Sequence, residues 1–486
     1  AGWNMFATEK FQKILLNNNY TIVFVNQTTE PPNPEREIQN ILSPGTMIEN
    51  YNNNDSNYLA SIYINQYPQQ YDKYIYIIGF SVIDISTGEN NVHKIISLID
   101  DDNIWKDELF RLIHYYSPKE TIFHFDKDID LTKEYICNHF DMNECTLHYD
   151  LYKDDIYKKP SFQNDFLQKV FSTGYLTSIE YLGFDTPELT LSYIYMIQFI
   201  HEHKLENLTD LPKPIIKSDK QNLILSHNAI YQLYLIPNKE HEDEKYNSLL
   251  SILNKCETAI GRRLLKNRLL YPIIDGNKLK QRYEMIESFQ KDKLYESFKP
   301  NLKKILDVEK LHRKMGLHLL TPYEFFSMHT SYIYLLKCIS ILDDKKISIN
   351  EFNISKVKDF MKEYKEVFLI DELEKYSLIN MSTSIFHKDI YPEIDRLQNE
   401  IQRGNNRIDL ICEKLGKYID LKKKGVIKRE NNDKYGYYLS VTDNRSKTFK
   451  KSVNNLVNTK IKIDDFDLDL RDIKFIKRGG NTHLEC

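Results

Sequence analysis

Cysteine is scarce in this chain: six residues in 486, at positions 137, 145, 256, 338, 412 and 486, without dense or even spacing. That excludes a disulfide-framed scaffold and fits reduced thiols in an intracellular setting, whether cytoplasm, nucleus, organelle or viral compartment. Excess charge of one sign is also missing. With 66 Lys and Arg against 70 Asp and Glu the net charge is -4, so a small, globally basic nucleic-acid-binding module is excluded and any such site must be local. Long apolar runs are lacking: Tyr332 to Leu342 is interrupted by Lys337, well short of the roughly 18 residues a membrane span needs, and no membrane partner is expected. The 15 glycines include no G-x-x-x-x-G-K-[ST], which excludes a nucleotide-triphosphate loop of that kind. No repeat period recurs, which argues against a solenoid.

What the chain does have is 41% hydrophobic and 28% charged residues, enough to bury several cores and to fold as two to four domains rather than remain disordered. The bias toward Ile, Asn, Lys and Tyr, with 34 tyrosines, suggests an A+T-rich genome. Ala1 in place of Met and the absence of a signal peptide in Ala1 to Phe6 give the expectation of a piece cut from a longer protein.

The fold class expected is mixed and multidomain. Residues 1–50 read as an α/β fragment: a helix from Thr8 to Asn18, a strand from Thr21 to Val25, a loop with Pro31, Pro32 and Pro34, and a second strand closed by Ser43-Pro44-Gly45-Thr46. Asn50 to Asn57 reads as a polar linker. Residues 58–160 alternate strand and helix, with strands Tyr74 to Ile85, Val92 to Ser97, Thr121 to Phe125 and Thr146 to Tyr149 and a helix from Ile104 to Tyr116; this predicts a layered α/β domain closing near 160. Residues 161–416 carry helical spacing, as in Leu191, Ile194, Ile197 and Ile200 or Ile260 with Leu264 and Leu265 with Leu269, and predict an all-α domain. Its last helix starts at Pro392 and bears a stripe of Ile394, Leu397, Ile401, Ile408, Ile411 and Leu415, with Gly404 in the one vacant seam position. Residues 417–486 read as a small β-rich unit, with strands at Gly425-Val426-Ile427, Tyr435 to Val441 and Leu456 to Ile463.

Charge is the strongest local anomaly. Between 417 and 460 twelve Lys and Arg meet four Asp and Glu, a net +8 that leaves -12 for the remainder. A basic tip carrying Tyr435, Tyr437 and Tyr438 suits phosphate-backbone contact, and a merely solvated face is the alternative. The candidate DNA-binding residues are Lys422, Lys423, Lys424, Lys428, Arg429, Lys434, Arg445, Lys447, Lys450 and Lys451. Enzymatic signals are weak. Asp84 sits mid-strand, where a ribonuclease-H-like nuclease holds a metal, but its partner carboxylates are missing: Asp126, Asp128 and Asp130 form only a generic acidic loop, so a structural aspartate is favoured. Cys137, His139, Cys145 and His148 lack the spacing of a common zinc site, and His201 and His203 lie two apart on different helix faces. No catalytic, cofactor-binding or metal residue is assigned.

Several stretches resemble the MutS family of DNA mismatch-recognition ATPases. Val23-Phe24-Val25-Asn26-Gln27-Thr28-Thr29-Glu30-Pro31 and Ile41-Leu42-Ser43-Pro44-Gly45-Thr46 resemble the end of its mismatch-binding domain, with Asn26 and Asn40 where glutamate and arginine are usual. Gly79 to Gly88 and Pro118-Lys119-Glu120-Thr121-Ile122 resemble its connector domain, which is ribonuclease-H-like without nuclease activity. Thr258-Ala259-Ile260-Gly261-Arg262-Arg263-Leu264-Leu265-Lys266-Asn267-Arg268-Leu269-Leu270-Tyr271-Pro272 is similar to the motif T-x-x-G-x-R-x-L-K-x-W-L-x-x-P, with Arg268 for the tryptophan. Arg282 with Ile286, and Asp307-Val308-Glu309-Lys310-Leu311, resemble lever-domain signatures, while an earlier N-L-E is degraded to Gln232-Leu233-Tyr234. Tyr435-Gly436-Tyr437-Tyr438-Leu439-Ser440-Val441 is similar to the clamp strand G-Y-Y-I-x-V.

The resemblance implies 1–50 as the end of the mismatch-binding domain, 58–160 as connector, 161–416 as helical core and lever, and 417–486 as DNA-gripping clamp. It implies double-stranded DNA with mismatches or small loops as ligand, a homodimer or heterodimer with another MutS-like chain, and ATP with Mg²⁺ for the full-length protein. The family's Phe-x-Glu wedge would precede Ala1 and its ATPase would follow Cys486, so this stretch itself is expected not to be an enzyme. A metal-dependent nuclease built on Asp84 and a structural subunit without DNA contact remain the alternatives.

Overall fold

In the computed structural model, which describes residues 8–29, 34–48, 56–69, 73–98, 103–126, 129, 131–143, 145–171, 177–203, 208–217, 222–223, 225, 227–237, 246–291, 293–347, 353–376, 383–420, 425–432, 436–457, 459–463, 466–478 and 480–485, apolar alternation in the first half of the chain builds one six-stranded sheet. The chain divides into two units, Ala1–Lys358 and Asp359–Cys486. The first opens with α1 (Thr8–Asn17) and the antiparallel pair β1 (Ile22–Gln27) and β2 (Arg36–Leu42), which share a small core of Leu16, Ile22 and Met47. The Ser-Pro-Gly-Thr turn after β2 is tied down by a buried carboxylate. Glu120 Oε2 accepts from Ser43 Oγ at 2.6 Å and from the Gly45 amide at 2.8 Å. A Cβ on Gly45 would meet Glu120 Cβ at 2.8 Å, so the turn needs glycine for this close approach.

The sheet runs β7-β6-β3-β4-β5-β8. It comprises β3 (Tyr58–Pro68), β4 (Tyr74–Asp84), β5 (Glu89–Ile96), β6 (Glu120–Phe125), β7 (Thr146–Tyr149) and β8 (Ile215–Lys217), with α2 (Ile104–Tyr116) and α3 (Lys133–His139) between β5 and β7. β3, β6 and β7 are parallel, while β4 is antiparallel to both β3 and β5. Period-two alternation sorts its faces: Ala60, Ile62, Ile64, Phe80 and Val82 pack under α2 and α3, whereas Leu59, Tyr63, Ile83 and Ile122 pack under the next three helices. These are α4 (Pro160–Gln168), α5 (Ser178–Leu182) and α6 (Pro187–His203). α6 is buried almost all round, as expected of a helix apolar on every side.

Three expectations need correction here. β3, the centre of the sheet, follows directly on the Asn/Asp-rich stretch and was not anticipated as a strand. Asn57 belongs to no linker: it is buried, donating from Nδ2 to the carbonyls of Pro44 at 2.7 Å and Met47 at 3.2 Å, while residues 49–55 lie outside the described part. The α/β domain also does not close near 160, since α6 covers the sheet and β8 is its sixth strand; the span 161–416 is therefore not purely helical.

The rest of the first unit is α7 (His227–Gln232), α8 (Leu249–Leu253), α9 (Ala259–Leu270), α10 (Gly276–Lys291), α11 (Leu294–Leu302), α12 (Val308–Gly316), α13 (Pro322–Asp344) and the start of α14 (Ile354–Val367). By length and composition α13 could cross a membrane. Here it buries Met328, Tyr332, Cys338, Ile339 and Leu342 and packs on α11 and α12, and the reading of a short interrupted run is corrected to one 23-residue helix.

Two of the stretches that carry the resemblance meet in this unit. Thr258 caps α9, its Oγ1 accepting from the Gly261 amide at 3.1 Å, and a Cβ on Gly261 would sit 2.9 Å from that oxygen. One turn on, Arg263 grips Asp307 with both prongs at 2.6 and 2.9 Å and also reaches Glu309. From α12, Arg313, 6% exposed, donates to the carbonyls of Ile85 at 3.3 Å, Thr209 at 2.7 Å and Asp210 at 3.0 Å. Lys314 pairs with Glu324 at 2.5 Å, which closes a capping box with Thr321 at the start of α13. A nine-residue helix thus ties α9, α13 and the α/β domain together.

The second unit contains α15 (Ile370–Leu373), α16 (Pro392–Gly416), β9 (Lys428–Asn432), β10 (Gly436–Thr442), α17 (Asp443–Asn454), β11 (Lys460–Ile463), β12 (Phe466–Asp469), β13 (Lys474–Arg478) and β14 (Asn481–Glu485). Its main sheet runs β13-β14-β10-β9, fully antiparallel, and β11 with β12 forms a separate hairpin. The stripe of α16 divides: Ile408, Ile411 and Leu415 pack on the core of this unit, while Leu397 and Ile401 are exposed.

Three measurements test this packing. At Gly79 a Cβ would lie 2.1 Å from the Glu188 carbonyl oxygen, so Gly79→Ala must push α6 off the sheet and should cost about 3 kcal/mol in urea unfolding; a negligible loss would contradict the close approach. Burial pushes the Asp307 carboxyl up, but Arg263 outweighs it and holds the group below its ordinary value, so the pair's stabilisation is present above that value and lost as pH falls below it. Asp307→Ala should cost about 3 kcal/mol at neutral pH, and Arg263→Lys less, because it keeps the charge but not the fork. His93, buried with Nε2 2.8 Å from the Tyr116 hydroxyl, is driven down to about 3 by burial and by Arg111 and Lys217. It stays neutral when folded, so its stabilisation is present above the ordinary 6.5 and lost as pH falls from there toward about 3. His93→Gln should therefore flatten the stability-pH slope between those values by up to about 1.4 kcal/mol per pH unit; an unchanged slope would contradict it.

Candidate nucleic-acid interface

The basic surface of the second unit begins with an alternation. In β10, Leu439 and Val441 point into a core with Leu415, Ile427, Phe449, Val453 and Leu484. α17 lies on that face of the sheet and buries Ser446, Phe449 and Val453, the i, i+3, i+7 positions. Lys447, Lys450 and Lys451 are left together on an exposed flank of the helix. Among the described residues none of the three is held in an ion pair.

Neighbouring residues reinforce this flank. Lys450 Nζ lies 4.4 Å from the centroid of the Phe475 ring on β13, an arrangement that holds an ammonium near an apolar surface while leaving it charged. Lys477, also on β13, pairs with Asp443 at 3.1 Å. Asp443 accepts as well from Thr482 Oγ1 at 2.8 Å. Hydrogen bonds from Thr482 and Lys477 hold its carboxyl below the usual range. The one acid at the start of α17 is thus engaged on both oxygens.

The six described candidates, Lys428, Arg429, Arg445, Lys447, Lys450 and Lys451, do not form one patch. Lys422, Lys423, Lys424 and Lys434, like Tyr435, lie outside the described residues. Lys428 and Arg429 stand on β9, at the sheet edge opposite β13. Lys428 is exposed, whereas Arg429 donates to Asn405 Oδ1 on α16 at 2.8 Å and lies 3.9 Å from Asp409. Arg445 is half-buried on another flank of α17. The expected basic β-tip is corrected in kind: Arg445, Lys447, Lys450 and Lys451 sit on a helix. Ser446, Phe449 and Val453 were the signal for it. Lys477 was missed because it falls after the charge run ending at 460; its strand position opposite Thr482 brings it back to α17. Tyr438 stacks on His483 at 4.0 Å and is not a free ring.

The other candidates resolve into structural roles. Asp84 is fully buried at the end of β4, paired with Tyr58 at the amino end of the parallel strands. It accepts from the Asn57 amide at 3.1 Å, the Ser86 amide at 2.9 Å and Ser86 Oγ at 2.6 Å. Burial pushes its carboxyl up while these donors oppose the rise. It organises the turn that Arg313 reaches. His148 Nε2 is 2.8 Å from Glu120 Oε1, and Cys145 Sγ is 3.2 Å from Thr121 Oγ1. His203 bonds the Phe199 carbonyl at 2.8 Å, and His201 lies edge-on to Phe166. Among the described residues no group of three or more His, Cys, Asp or Glu could hold a metal ion. Asp128 and Asp130 lie outside those residues. Cys137, Cys145, Cys256, Cys338 and Cys412 are free thiols.

Comparison with known proteins gives a consistent answer. The family model described as MutS domain III matches residues 228–424. A DNA mismatch repair protein mutS homolog of Acanthamoeba polyphaga mimivirus is 29% identical over 95% of this chain and 44% of its own length. DNA mismatch repair protein MutS of Caldanaerobacter subterraneus subsp. tengcongensis is 26% identical over 83% of the chain and 42% of its own. The protein of the same name from Clostridium kluyveri is 26% identical over 90% and 47%. The chain spans somewhat less than half the length of these curated relatives. Matches of this extent, running through the helical motifs and the strands alike, support a MutS family protein.

Proposed function

We propose that this chain acts in DNA mismatch repair as a MutS-like protein, and that its second unit holds duplex DNA by the phosphate backbone. The observation that carries the grip is the lysine flank of α17: Lys447, Lys450 and Lys451 exposed together, beside an Asp443 already taken up by Lys477 and Thr482. Asp443 still attracts Lys447 from four residues away, but three exposed ammonium groups face this one carboxylate; such a surplus displaces condensed counterions from DNA, and the contacts position a duplex without reading its sequence. In this reading Lys422, Lys423, Lys424, Lys428 and Lys434 add to the grip, while Arg429, bonded to Asn405, contributes little. The duplexes concerned carry mismatches or small loops, the partner is a second MutS-like chain, identical or not, and the setting is intracellular.

The first unit would transmit. A block in which α12 is bonded to α9, α13 and the turn after β4 moves as one body, and a coupling between distant sites needs such packed elements. The family is expected to use ATP with Mg²⁺. No G-x-x-x-x-G-K-[ST] pattern occurs among the 15 glycines of this chain.

The test is a salt titration of duplex binding by the full chain. Replacing Lys447, Lys450 and Lys451 with Ala should weaken binding to matched and mismatched duplexes alike. It should also flatten the slope of log affinity against log salt by about 0.9 for each phosphate that is no longer neutralised. The same holds for Lys422→Ala, Lys423→Ala and Lys424→Ala combined. Unchanged slopes in both variants would remove the grip, and no binding by the parent chain would favour a structural subunit.

A further inference from the structure

The carboxyl ends of β3, β6 and β7 open into a cleft that the DNA grip does not use. Open α/β sheets bind ligands in the crevice outside the carboxyl ends of their parallel strands. Here two adjoining cavities of about 280 and 430 Å³ share Tyr63, Asp126 and Lys158 as a common wall. They lie at the opposite end of the sheet from Asp84.

The larger cavity contains a buried carboxylate that is only half satisfied. Glu188, in the first turn of α6, is 1% exposed. Its Oε1 accepts from Asn65 Nδ2 at 2.9 Å and from the Tyr67 hydroxyl at 2.6 Å. Its Oε2 is equally buried and has no hydrogen-bond partner among the described residues. Thr186 Oγ1, two residues earlier and lining the same cavity, is also buried without a partner. In the smaller cavity His124 is 2% exposed, with Nδ1 3.5 Å from Asp150 Oδ1 and Nε2 unpartnered. With the proton on the Asp150 side, Nε2 is a further acceptor. Buried acceptors without donors are costly; two of them, Glu188 Oε2 and His124 Nε2, with the Thr186 hydroxyl able to accept beside them, call for a ligand rich in N–H.

The rim sets the ligand's charge. Lys158 and Lys153 are already paired with Asp126 at 3.1 Å and Asp150 at 3.0 Å, which leaves Asp154, Asp155 and Glu188 without a cation among the described residues. An anion is therefore disfavoured. A bare divalent ion fits poorly as well, since such ions want six or more oxygens or a tight cluster of ligands and no such cluster is present among the described residues. A guanidinium fits better. Its planar fork carries five N–H donors and keeps its charge.

We propose that this cleft binds a guanidinium group, free or borne on an arginine side chain, with Glu188 as its anionic anchor and Thr186 as the neighbouring acceptor. Calorimetric titration of the full chain with argininamide tests it, with citrullinamide as the uncharged isostere. Saturable binding of argininamide, at least tenfold weaker for citrullinamide, is expected. Glu188→Gln keeps an acceptor for Asn65 and Tyr67 and places an NH₂ where Oε2 stood, so Tm should hold or rise while argininamide affinity drops at least tenfold. Thr186→Ala should lower affinity about threefold with the fold intact. No binding by the parent chain, or binding that Glu188→Gln leaves unchanged, would overturn the proposal. The peptide Gly-Gly-Arg-Gly-Gly separates the sources: tighter binding than argininamide assigns the cleft to an arginine of a partner segment, and equal binding assigns it to a free cation.

Discussion

Two guanidinium groups sunk among oxygens hold the first unit together. Arg263 meets Asp307 through both prongs, and Arg313 is taken up by three backbone carbonyls from two loops of the α/β domain. An arginine is suited to this because its charge cannot be titrated away and its donors are fixed in a plane. Each bond joins segments far apart in sequence, so α9 and α12 cannot shift against the sheet of the same unit without leaving a buried cation unpaired. The Thr-x-x-Gly-x-Arg pattern therefore has a mechanical explanation: the threonine caps, the glycine clears the cap, and the arginine locks.

The second unit separates paired from unpaired charge in the same way. Asp443 and Asn405 take up Lys477 and Arg429, which fixes the strands against α17 and α16. The lysines left over on α17, Lys447, Lys450 and Lys451, are exposed. Net charge near zero for the whole chain is compatible with this because the local excess is averaged out over 486 residues.

Much of the fold was legible where local signals agreed. α2 runs over the anticipated residues because its apolar period and its flanking breakers coincide, and β4 is bounded by a turn that Asp84 and Gly88 dictate. β3 was hidden by the polar stretch before it, although its alternation is as strong as that of β4. α17 is hidden in the sequence because its lysines mask a buried face of only Ser446, Phe449 and Val453. The closure of the α/β domain could not be found locally: α6 reads as any apolar helix, and only its packing on Gly79 assigns it to the sheet. Of the candidate site, the basic residue types were legible but their grouping was not. Which lysines share a flank depends on the helix, and Lys477 arrives from another strand. Arg263 and Asp307 each belong to a motif, yet nothing in one motif names its partner 44 positions away.

The claim that α12 welds the first unit into one body is open to a direct measurement, native-state hydrogen exchange under mild denaturant. The Gly88 amide, bonded to the Asp84 carbonyl at 2.8 Å, and the Leu317 amide, bonded to the Arg313 carbonyl at 3.0 Å, report on the two sides of the weld. A shared opening free energy and denaturant dependence for both, as in one cooperative unit, is the predicted result. Exchange at Leu317 through a separate, lower-energy opening, with Gly88 still protected, would contradict it.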